Sequence, residues 1–346
     1  MSASRSTVIT KSSSRLCELA NNQEADFFAQ LSIKESHTTR DGKPYVRVGF
    51  RDAEREVQFP IWTDSTWYEA CRGQWAVSEF YKLRAAYRET SYGPQLEIRR
   101  IRAATDEDSA DGFDRWMLLP RSRHDAETMF GELNELVRTR IADEAVQRLV
   151  LAILETHHDA VLKWPASLRH HHAYLGGFLE HALSVAKTAD FLAAKYQAQY
   201  PDLSPPLDKD LVIAGAILHD IGKLRELDQS PAGASRSIPG NLLGHVVLGR
   251  DMLREAAADV RTAATGVVIS PEKLLRLEHI LISHERQADW GATRPIMTPE
   301  ALLVQAADDL DARFDMLAGV LAADRSEGPF TSSKNLLQTE LFRGCT

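Results

Sequence analysis

The stretch LVIAGAILHDIGKL, residues 211–224, decides the fold of the second half of this chain. It opens with a run of apolar and small residues, which indicates a buried helix. The run delivers His219 and Asp220 side by side. Neighbouring helix residues point about 100° apart, so both side chains can flank a metal ion while the carboxylate bridges to a second one. Lys223, one turn beyond His219, can face the same cleft and neutralise a phosphate oxygen.

Four further segments present the same types of residue amid apolar neighbours on predicted helices. These are GGFLEHALSV with His181, GNLLGHVVLG with His245, LEHILISHE with His284 and LLVQAADDLDA with Asp308. One such histidine alone is usually an ordinary core or surface residue, but a polar group in an apolar setting is costly without a partner. Imidazole and carboxylate groups suit divalent transition metals. Five helical segments of this kind therefore predict a shared metal site.

The rest of the chain divides by pattern. Residues 121–325 carry long helical periodicities and predict an all-α domain. Residues 22–104 contain short strand-like runs such as YVRVGF and EVQFPIW, with an Asp41-Gly42 turn, and predict a small β-barrel of the OB type. We expect a disordered lead-in at 1–21, an acidic linker at 105–120 and a tail at 326–346. The fold class is thus multidomain α and β, an OB-like barrel followed by an all-α domain.

Composition narrows the functional classes. The net charge of −8 is unevenly placed, +3 for residues 1–105 and −11 for the remainder, which suggests two modules with different roles. No apolar run is long enough to cross a bilayer, and no secretory signal precedes the domains. The three cysteines are far apart and predict neither a disulfide framework nor a thiolate site. We expect a cytoplasmic protein without a membrane partner. A homo-oligomer is one of the assembly states that the sequence allows.

The ordered pattern His, His-Asp, His, His, Asp resembles the HD superfamily of metal-dependent phosphohydrolases. The strings HHHAYLGGFLEHALSV, AGAILHDIGKLREL and ADDLDARFDM, with DGKPYVRVGF in the front half, are similar to the YhaM-type exoribonucleases. That family joins an N-terminal OB-fold to a C-terminal HD domain. The resemblance covers roughly residues 22–325 and is carried mainly by the motifs of the second half.

The resemblance implies specific roles. His181, His219, Asp220 and Asp308 would hold one ion, and Asp220 would bridge to a second ion held by His245 and His284. Asp220 and Lys223 would be catalytic, and Lys223 would also contact substrate. We expect manganese, with iron, cobalt, nickel or zinc as alternatives that the same ligands also fit. The further substrate-binding candidates are His171, His172, Arg47 and Trp62. The His-rich turn that contains His171 and His172 could equally be a packed surface cluster, and Trp62 could equally be a core residue.

Two departures from the family pattern concern the substrate. The chain has Glu285 after His284, where the family tends to have a second histidine, and Asp309 after Asp308, where it tends to have asparagine. We expect neither acid to touch a proposed ligand, but both would repel an anionic substrate if they faced it.

Three functions remain open from the sequence. The first is a 3′-to-5′ exonuclease that shortens single-stranded RNA, with DNA as the alternative substrate, by means of a metal-activated water. The second is a phosphohydrolase of a nucleotide or other small phosphorylated molecule, with a regulatory barrel. The third is a nucleic-acid-binding or scaffolding protein without catalysis, which the intact ligand set disfavours.

Overall fold

The computed structural model describes residues 14–91, 93–230, 233–262, 268–285, 291, 293–324 and 326–345. The chain divides into two units, Met1–Pro120 with Ser230–Gly233, and Arg121–Gln229 with Ala234–Thr346. No described helix is long and apolar enough to cross a membrane.

The first unit is built on an antiparallel sheet of five strands. They are β1 (Glu24–Thr38), β2 (Pro44–Arg51), β3 (Glu56–Trp62), β4 (Phe80–Thr90) and β5 (Gly93–Ala103), and a short helix, α1 (Tyr68–Gly73), follows β3. The order across the sheet is β3-β2-β1-β4-β5. Within the described residues no ladder of backbone hydrogen bonds joins the edge strands β3 and β5. The predicted barrel is therefore present as an antiparallel sheet that is not closed.

Alternation along the strands builds the core of this unit. In β3, Val57, Phe59 and Ile61 are buried while Trp62 is exposed, as expected for a sheet with one face covered. The turn predicted at Asp41-Gly42 begins at Arg40. Gly42 has φ of 81°, a conformation that glycine adopts without strain. The sequence also predicts a turn at Tyr92-Gly93-Pro94, of which Tyr92 lies outside the described residues.

Parts of the predicted lead-in and of the predicted linker form short helices. In the lead-in, residues 1–13 lie outside the described residues, but Leu16–Glu18 form a 3-10 helix that buries Leu16 completely. Leu16 and Leu19, three residues apart, both join the core of the first unit. The predicted linker forms a second 3-10 helix, Asp106–Asp111, in which Asp108 is buried.

The second unit is an assembly of helices packed around the buried helix Lys209–Leu218. The helices are α2 (Ala126–Arg140), α3 (Glu144–Thr156), α4 (His158–Lys163), α5 (Gly177–Gln199), α6 (Lys209–Leu218), α7 (Lys223–Glu226), α8 (Ile238–Thr262), α9 (Pro271–Ser283) and α10 (Pro299–Ala323). Within α8 the chain kinks at Gly244, whose φ is 73°. Two short strands, β6 (Leu227–Ser230) and β7 (Gly233–Arg236), form a two-stranded sheet in the part of the chain for which the sequence predicted an all-α domain.

Side-chain caps fix where most of these helices begin. Asp125, Asp143 and Asp208 accept hydrogen bonds from backbone N–H groups in the first turns of α2, α3 and α6. Ser270 and Thr298 do the same for α9 and α10, each followed by a proline in the first turn. The predicted tail is also ordered, since the N–H of Thr331 donates to the carbonyl of Leu341.

Candidate metal centre

The buried helix α6 ends where the candidate centre begins. Every residue from Leu211 to Leu218 is buried, and the chain then turns tightly through residues 219–222 into α7. Gly222 permits this turn, because a Cβ there would lie 1.9 Å from the carbonyl oxygen of His245. The backbone of the turn therefore packs directly on α8, which places Asp220 opposite the side chain of His245.

His181, His219 and Asp308 form a first cluster, contributed by α5, the turn after α6, and α10. Nε2 of His181 lies 3.2 Å from both Nε2 of His219 and Oδ1 of Asp308. The remaining separation, between Nε2 of His219 and Oδ1 of Asp308, is 3.7 Å. Ligands about 2.1 Å from a common ion are roughly 3.0–3.4 Å apart. The spacing of this cluster fits a single divalent ion.

Asp220, His245 and His284 form a second cluster. Nε2 of His245 and Nε2 of His284 lie 3.4 Å and 3.5 Å from Oδ1 of Asp220. All three atoms are buried, and none has a hydrogen-bond partner in the part of the chain that the structure describes. An unpaired buried polar atom costs roughly 1–3 kcal/mol. Three of them facing one another fit a bound cation, which would satisfy all three.

Asp220 connects the two clusters. Its Oδ1 faces His245 and His284, whereas its Oδ2 lies 3.5 Å from Nε2 of His219 and 3.7 Å from Nε2 of His181. One carboxylate therefore presents an oxygen to each cluster, which is the arrangement of a bridging ligand in a two-ion site.

Backbone carbonyls orient two of the imidazole rings. Nδ1 of His219 donates to the carbonyl of Ala216 at 2.7 Å, and Nδ1 of His284 donates to that of Leu281 at 2.9 Å. Because Nδ1 carries the proton in each ring, Nε2 is left unprotonated to face the centre. His245 is held differently, with its Nδ1 3.5 Å from Oε2 of Glu226. Glu226 follows Lys223 by three residues, about one helical turn, and this spacing is the sequence signal from which its position near the centre could have been predicted.

Asp311 supports the first cluster and was missed from the sequence. Its Oδ2 accepts a hydrogen bond from Nδ1 of His181 at 2.7 Å, and the hydroxyl of Ser184 donates to its other oxygen. Asp311 follows the predicted ligand Asp308 by three residues, so both lie on one side of α10. That spacing was the available signal.

Lys223 and Asp220 form a buried ion pair. Burial raises the pKa of Asp220, but the positive charge of the adjacent Lys223 is the largest opposing effect, and the net result holds the pKa well below its usual range. Burial lowers the pKa of Lys223, and the attraction of Asp220 outweighs it, so the net direction is upward. Lys223 thus remains a cation, and its side chain lines the cleft as the sequence predicted.

His171 faces the cleft from the loop before α5. Its ring centroid is 5.0 Å from that of His181, and its buried Nε2 has no hydrogen-bond partner among the described residues. Burial is the main cause that lowers the pKa of His171 to about 3, so the ring is neutral at physiological pH. A neutral ring with one free nitrogen can take part in a hydrogen bond with a substrate.

His172 does not line the cleft, which corrects the prediction that it contacts substrate. Its Nδ1 is hydrogen-bonded to the hydroxyl of Tyr174 at 2.8 Å and its Nε2 to Asp311 at 2.9 Å. The backbone of His172 has φ of 44°, and the planes of the His171 and His172 rings are 87° apart. His279, five residues before His284, accepts a hydrogen bond from the N–H of Met297 at 3.0 Å.

A cleft of about 810 Å³ lies beside the second cluster. It is lined by groups from several elements, among them His171, Lys223, His245, Glu285, Arg169, Arg236, Leu242 and Leu243. A second, smaller cavity is lined by Asp220, Asp308 and Asp309. The candidate centre is therefore open to a molecule larger than water.

Glu285 lies closer to the candidate ligands than the sequence predicted. Its Oε1 is 3.5 Å from Nε2 of His245, so the expectation that it touches no proposed ligand is wrong. Asp309 lines the smaller cavity, and its Oδ1 pairs with Nε of Arg313 at 2.9 Å.

Arg47 and Trp62 belong to the sheet of the first unit. Trp62 is 43% exposed, and its ring centroid is 5.0 Å from that of Tyr45. Tyr45 in turn stacks on His37 at 5.5 Å, and these three residues are register partners on strands β1, β2 and β3. We call His37, Tyr45 and Trp62 the aromatic row. Arg47 lies on the same strand as Tyr45, two residues away, and bonds to Gln58.

Comparisons with known proteins agree with this geometry. The sequence model of the HD domain matches residues 178–313, and a second model, TraI_2, whose description names a helicase, matches residues 126–225. Three curated relatives are the 3′-5′ exoribonuclease YhaM of Listeria monocytogenes serotype 4b strains CLIP80459 and F2365 and serovar 1/2a strain EGD-e. Each is 27% identical over 307 residues, which cover 89% of this chain and 91% of the relative.

The HD match spans all six predicted metal ligands, from His181 to Asp308. The resemblance to HD phosphohydrolases and to YhaM-type exoribonucleases is thereby confirmed. The chain carries an HD domain in its second unit and is a metal-dependent hydrolase. The helicase match overlaps the HD match, and the chain contains no Gly-rich phosphate loop of the P-loop kind.

Proposed function

We propose that the chain is a phosphodiesterase with two divalent ions that removes nucleotides from the 3′ end of single-stranded RNA. The observation that carries the proposal is the position of Asp220, which offers one oxygen to each of two clusters of buried imidazole nitrogens. The direction of cleavage and the choice of RNA are supported by the similarity to the exoribonuclease YhaM.

The residues of the centre divide the work. Two bound ions would lower the pKa of a water between them and stabilise the attacking and leaving oxygens of the phosphodiester. Asp220 would be a ligand to both ions, with one oxygen for each. Lys223, a buried cation at the edge of the cleft, neutralises a phosphate oxygen. His171 donates or accepts a hydrogen bond at Nε2 to orient the scissile group.

The ligand set narrows the choice of metal without fixing it. Imidazole nitrogens favour zinc, iron, nickel and cobalt, whereas carboxylate oxygens favour manganese and magnesium. The centre mixes both kinds of donor, with Asp220 shared and Asp308 in the first cluster. We propose manganese as the activating ion.

The first unit is proposed to hold the substrate strand. Its strand order is compatible with an OB-type barrel, a fold that binds single strands through the face of its second and third strands. The aromatic row lies on β1, β2 and β3, and Trp62 is exposed for stacking on a base. Arg47, two residues from Tyr45 on β2, would contact the backbone phosphate.

The test is a strand-shortening assay. Purified protein with manganese is incubated with a 5′-labelled single-stranded RNA, next to His219→Ala, Asp220→Ala and the control His124→Ala, an exposed histidine outside both clusters. We expect a ladder that shortens from the 3′ end with wild type and control, and intact RNA with the other two variants. A folded, metal-loaded wild type that leaves the RNA intact would refute the proposal. An equimolar DNA competitor measures the preference between the two nucleic acids.

A second candidate is hydrolysis of a nucleotide or other small phosphorylated molecule, with the first unit regulatory. Glu285 and Asp309 line the cavities at the centre, and acids there disfavour a long polyanion more than a small substrate. Release of phosphate or nucleoside from mononucleotides, with no shortening of RNA, would identify this function instead.

A further inference from the structure

We infer that Glu285 supplies an oxygen ligand to the ion held by Asp220, His245 and His284. This inference rests on the proposed two-ion centre and adds a residue to it. Glu285 directly follows His284 at the end of α9, and its Oε1 lies 3.5 Å from Nε2 of His245. It lines both cavities that open onto the centre.

The second cluster has fewer donors than the first. The first cluster can draw on His181, His219 and Asp308 together with Asp220. The second has two imidazole nitrogens and the shared carboxylate, and its Nε2 atoms remain unpaired while buried. A divalent ion there would lack a fourth protein ligand on the side that faces the cleft, which is the side from which Glu285 approaches.

Glu285 is able to move the short distance that ligation needs. Its side chain is 24% exposed, so the carboxylate end lies at the border of the cleft and not in tight packing. A glutamate side chain has several rotatable bonds, and a carboxylate ligand typically lies about 2.0–2.2 Å from an ion. A rotation that brings Oε1 to the ion leaves the backbone of α9 in place.

Charge supports the same assignment. Two divalent ions would add four positive charges next to the buried cation Lys223. Asp220 and Asp308 offset only part of this charge. A third carboxylate facing the centre lowers the remaining repulsion, and opposite charges at such distances attract strongly when they are shielded from water.

The type of donor has a consequence for metal selection. Oxygen donors favour hard ions such as manganese and magnesium, whereas imidazole favours zinc, nickel and copper. With Glu285 the second position has equal numbers of nitrogen and oxygen donors. The side chain therefore biases this position, and not the first one, towards a hard ion.

Counting bound ions tests the inference. Metal-free full-length protein is titrated with manganese by calorimetry, for wild type, Glu285→Gln, Glu285→His and the control Asp309→Asn. Asp309 lines the same cavity but pairs with Arg313, so its substitution should leave the affinities unchanged. We expect Glu285→Gln to weaken the second manganese at least about tenfold, as loss of metal-supporting groups commonly does, and to spare the first.

Three results separate the possibilities. Glu285→His should keep two ions but shift competition between manganese and zinc towards zinc, which a steric or purely repulsive role of Glu285 would not produce. Two ions of wild-type affinity in Glu285→Gln would overturn the inference and leave the two-ion centre standing. A wild type that binds a single ion would overturn both. Electron paramagnetic resonance of the manganese-loaded protein measures the loss of the second ion independently. The signal of two magnetically coupled manganese ions in wild type should be replaced by that of an isolated ion in Glu285→Gln.

Discussion

Oδ2 of Asp311 lies 2.7 Å from Nδ1 of His181, on the side of the ring opposite to the nitrogen that faces Asp308. This contact fixes the tautomer of His181 and makes its Nε2 a stronger donor to a metal. The same carboxylate oxygen also contacts His172, whose other ring nitrogen bonds to Tyr174. A polar network outside the cleft thus orients His181, a proposed metal ligand of the first cluster.

Asp311→Asn should weaken the first metal position. The amide keeps the size of the side chain but removes the negative charge next to His181, so we expect affinity for the first ion to fall about 10- to 100-fold. Calorimetric titration measures it. Asp315→Asn is the matched control, because Asp315 accepts from the backbone N–H of His172 and not from His181. Equal metal affinity in Asp311→Asn and wild type would contradict this role.

Removal of metal should lower the thermal stability of the protein. Five helical segments contribute ligands, so ions bound only to the folded state stabilise it by about 2.7 kcal/mol at a free concentration of 100 Kd. We expect a chelator to lower Tm in wild type but to have little effect on His219→Ala, which lacks a ligand of the first cluster. Scanning calorimetry gives the comparison. Identical Tm values with and without chelator would show that the clusters hold no ion under those conditions.

Gly222→Ala should be destabilising through backbone contact. A Cβ would lie 1.9 Å from the carbonyl oxygen of His245 and 2.5 Å from the backbone N of Gly249, and neither atom belongs to a flexible side chain. Separation of the turn from α8 should cost about 1–3 kcal/mol and displace His245 from Asp220.

Gly131→Ala is the matched control, measured by chemical denaturation. Gly131 is an exposed residue within α2, and nothing lies within 4 Å of the position its Cβ would take. Alanine there should stabilise the helix by up to about 1 kcal/mol. Changes of the same sign at both glycines would argue against a steric cause.

Trp62→Ala should weaken binding of single-stranded RNA without unfolding the first unit. Stacking of one base on an aromatic ring contributes about 1–3 kcal/mol, and the exposed ring is not part of the core. Arg47→Ala should instead reduce the salt dependence of binding, by a slope of about 1 for one lost phosphate contact. Fluorescence anisotropy at several salt concentrations separates the two effects. Phe191→Ala, which removes an exposed aromatic ring of α5, is the control.

Much of the second unit could be predicted because its helices have apolar periodicity. The run before His219 is buried on all sides, so the ligand pair had to sit at the end of a core helix. The supporting residues could not be assigned in the same way. Whether Glu226, Asp311 or Glu285 faces a histidine depends on the rotation and spacing of helices that are distant in sequence, and each residue taken alone is an ordinary surface acid.

The acidic segment 105–120 is a case in which the sequence predicts less structure than the protein has. Its composition is typical of a linker, yet Asp108 accepts hydrogen bonds from Arg102 and from the backbone N–H of Thr105. Lys82, on strand β4, reaches the same carboxylate at 3.2 Å. Lys82 and Arg102 become neighbours only once strands β4 and β5 have paired, so local pattern could not reveal that these two side chains hold the segment.

Asp220 also limits how the centre can be dissected genetically. The two oxygens of Asp220 face different clusters, so any substitution at this position disturbs both ion positions. An inactive Asp220 variant therefore carries no information on how many ions the reaction requires. Informative alleles lie on either side of it. Loss of His181 touches one ion position and loss of His245 the other, so the phenotypes of these two variants, and not that of Asp220, distinguish one-ion from two-ion chemistry.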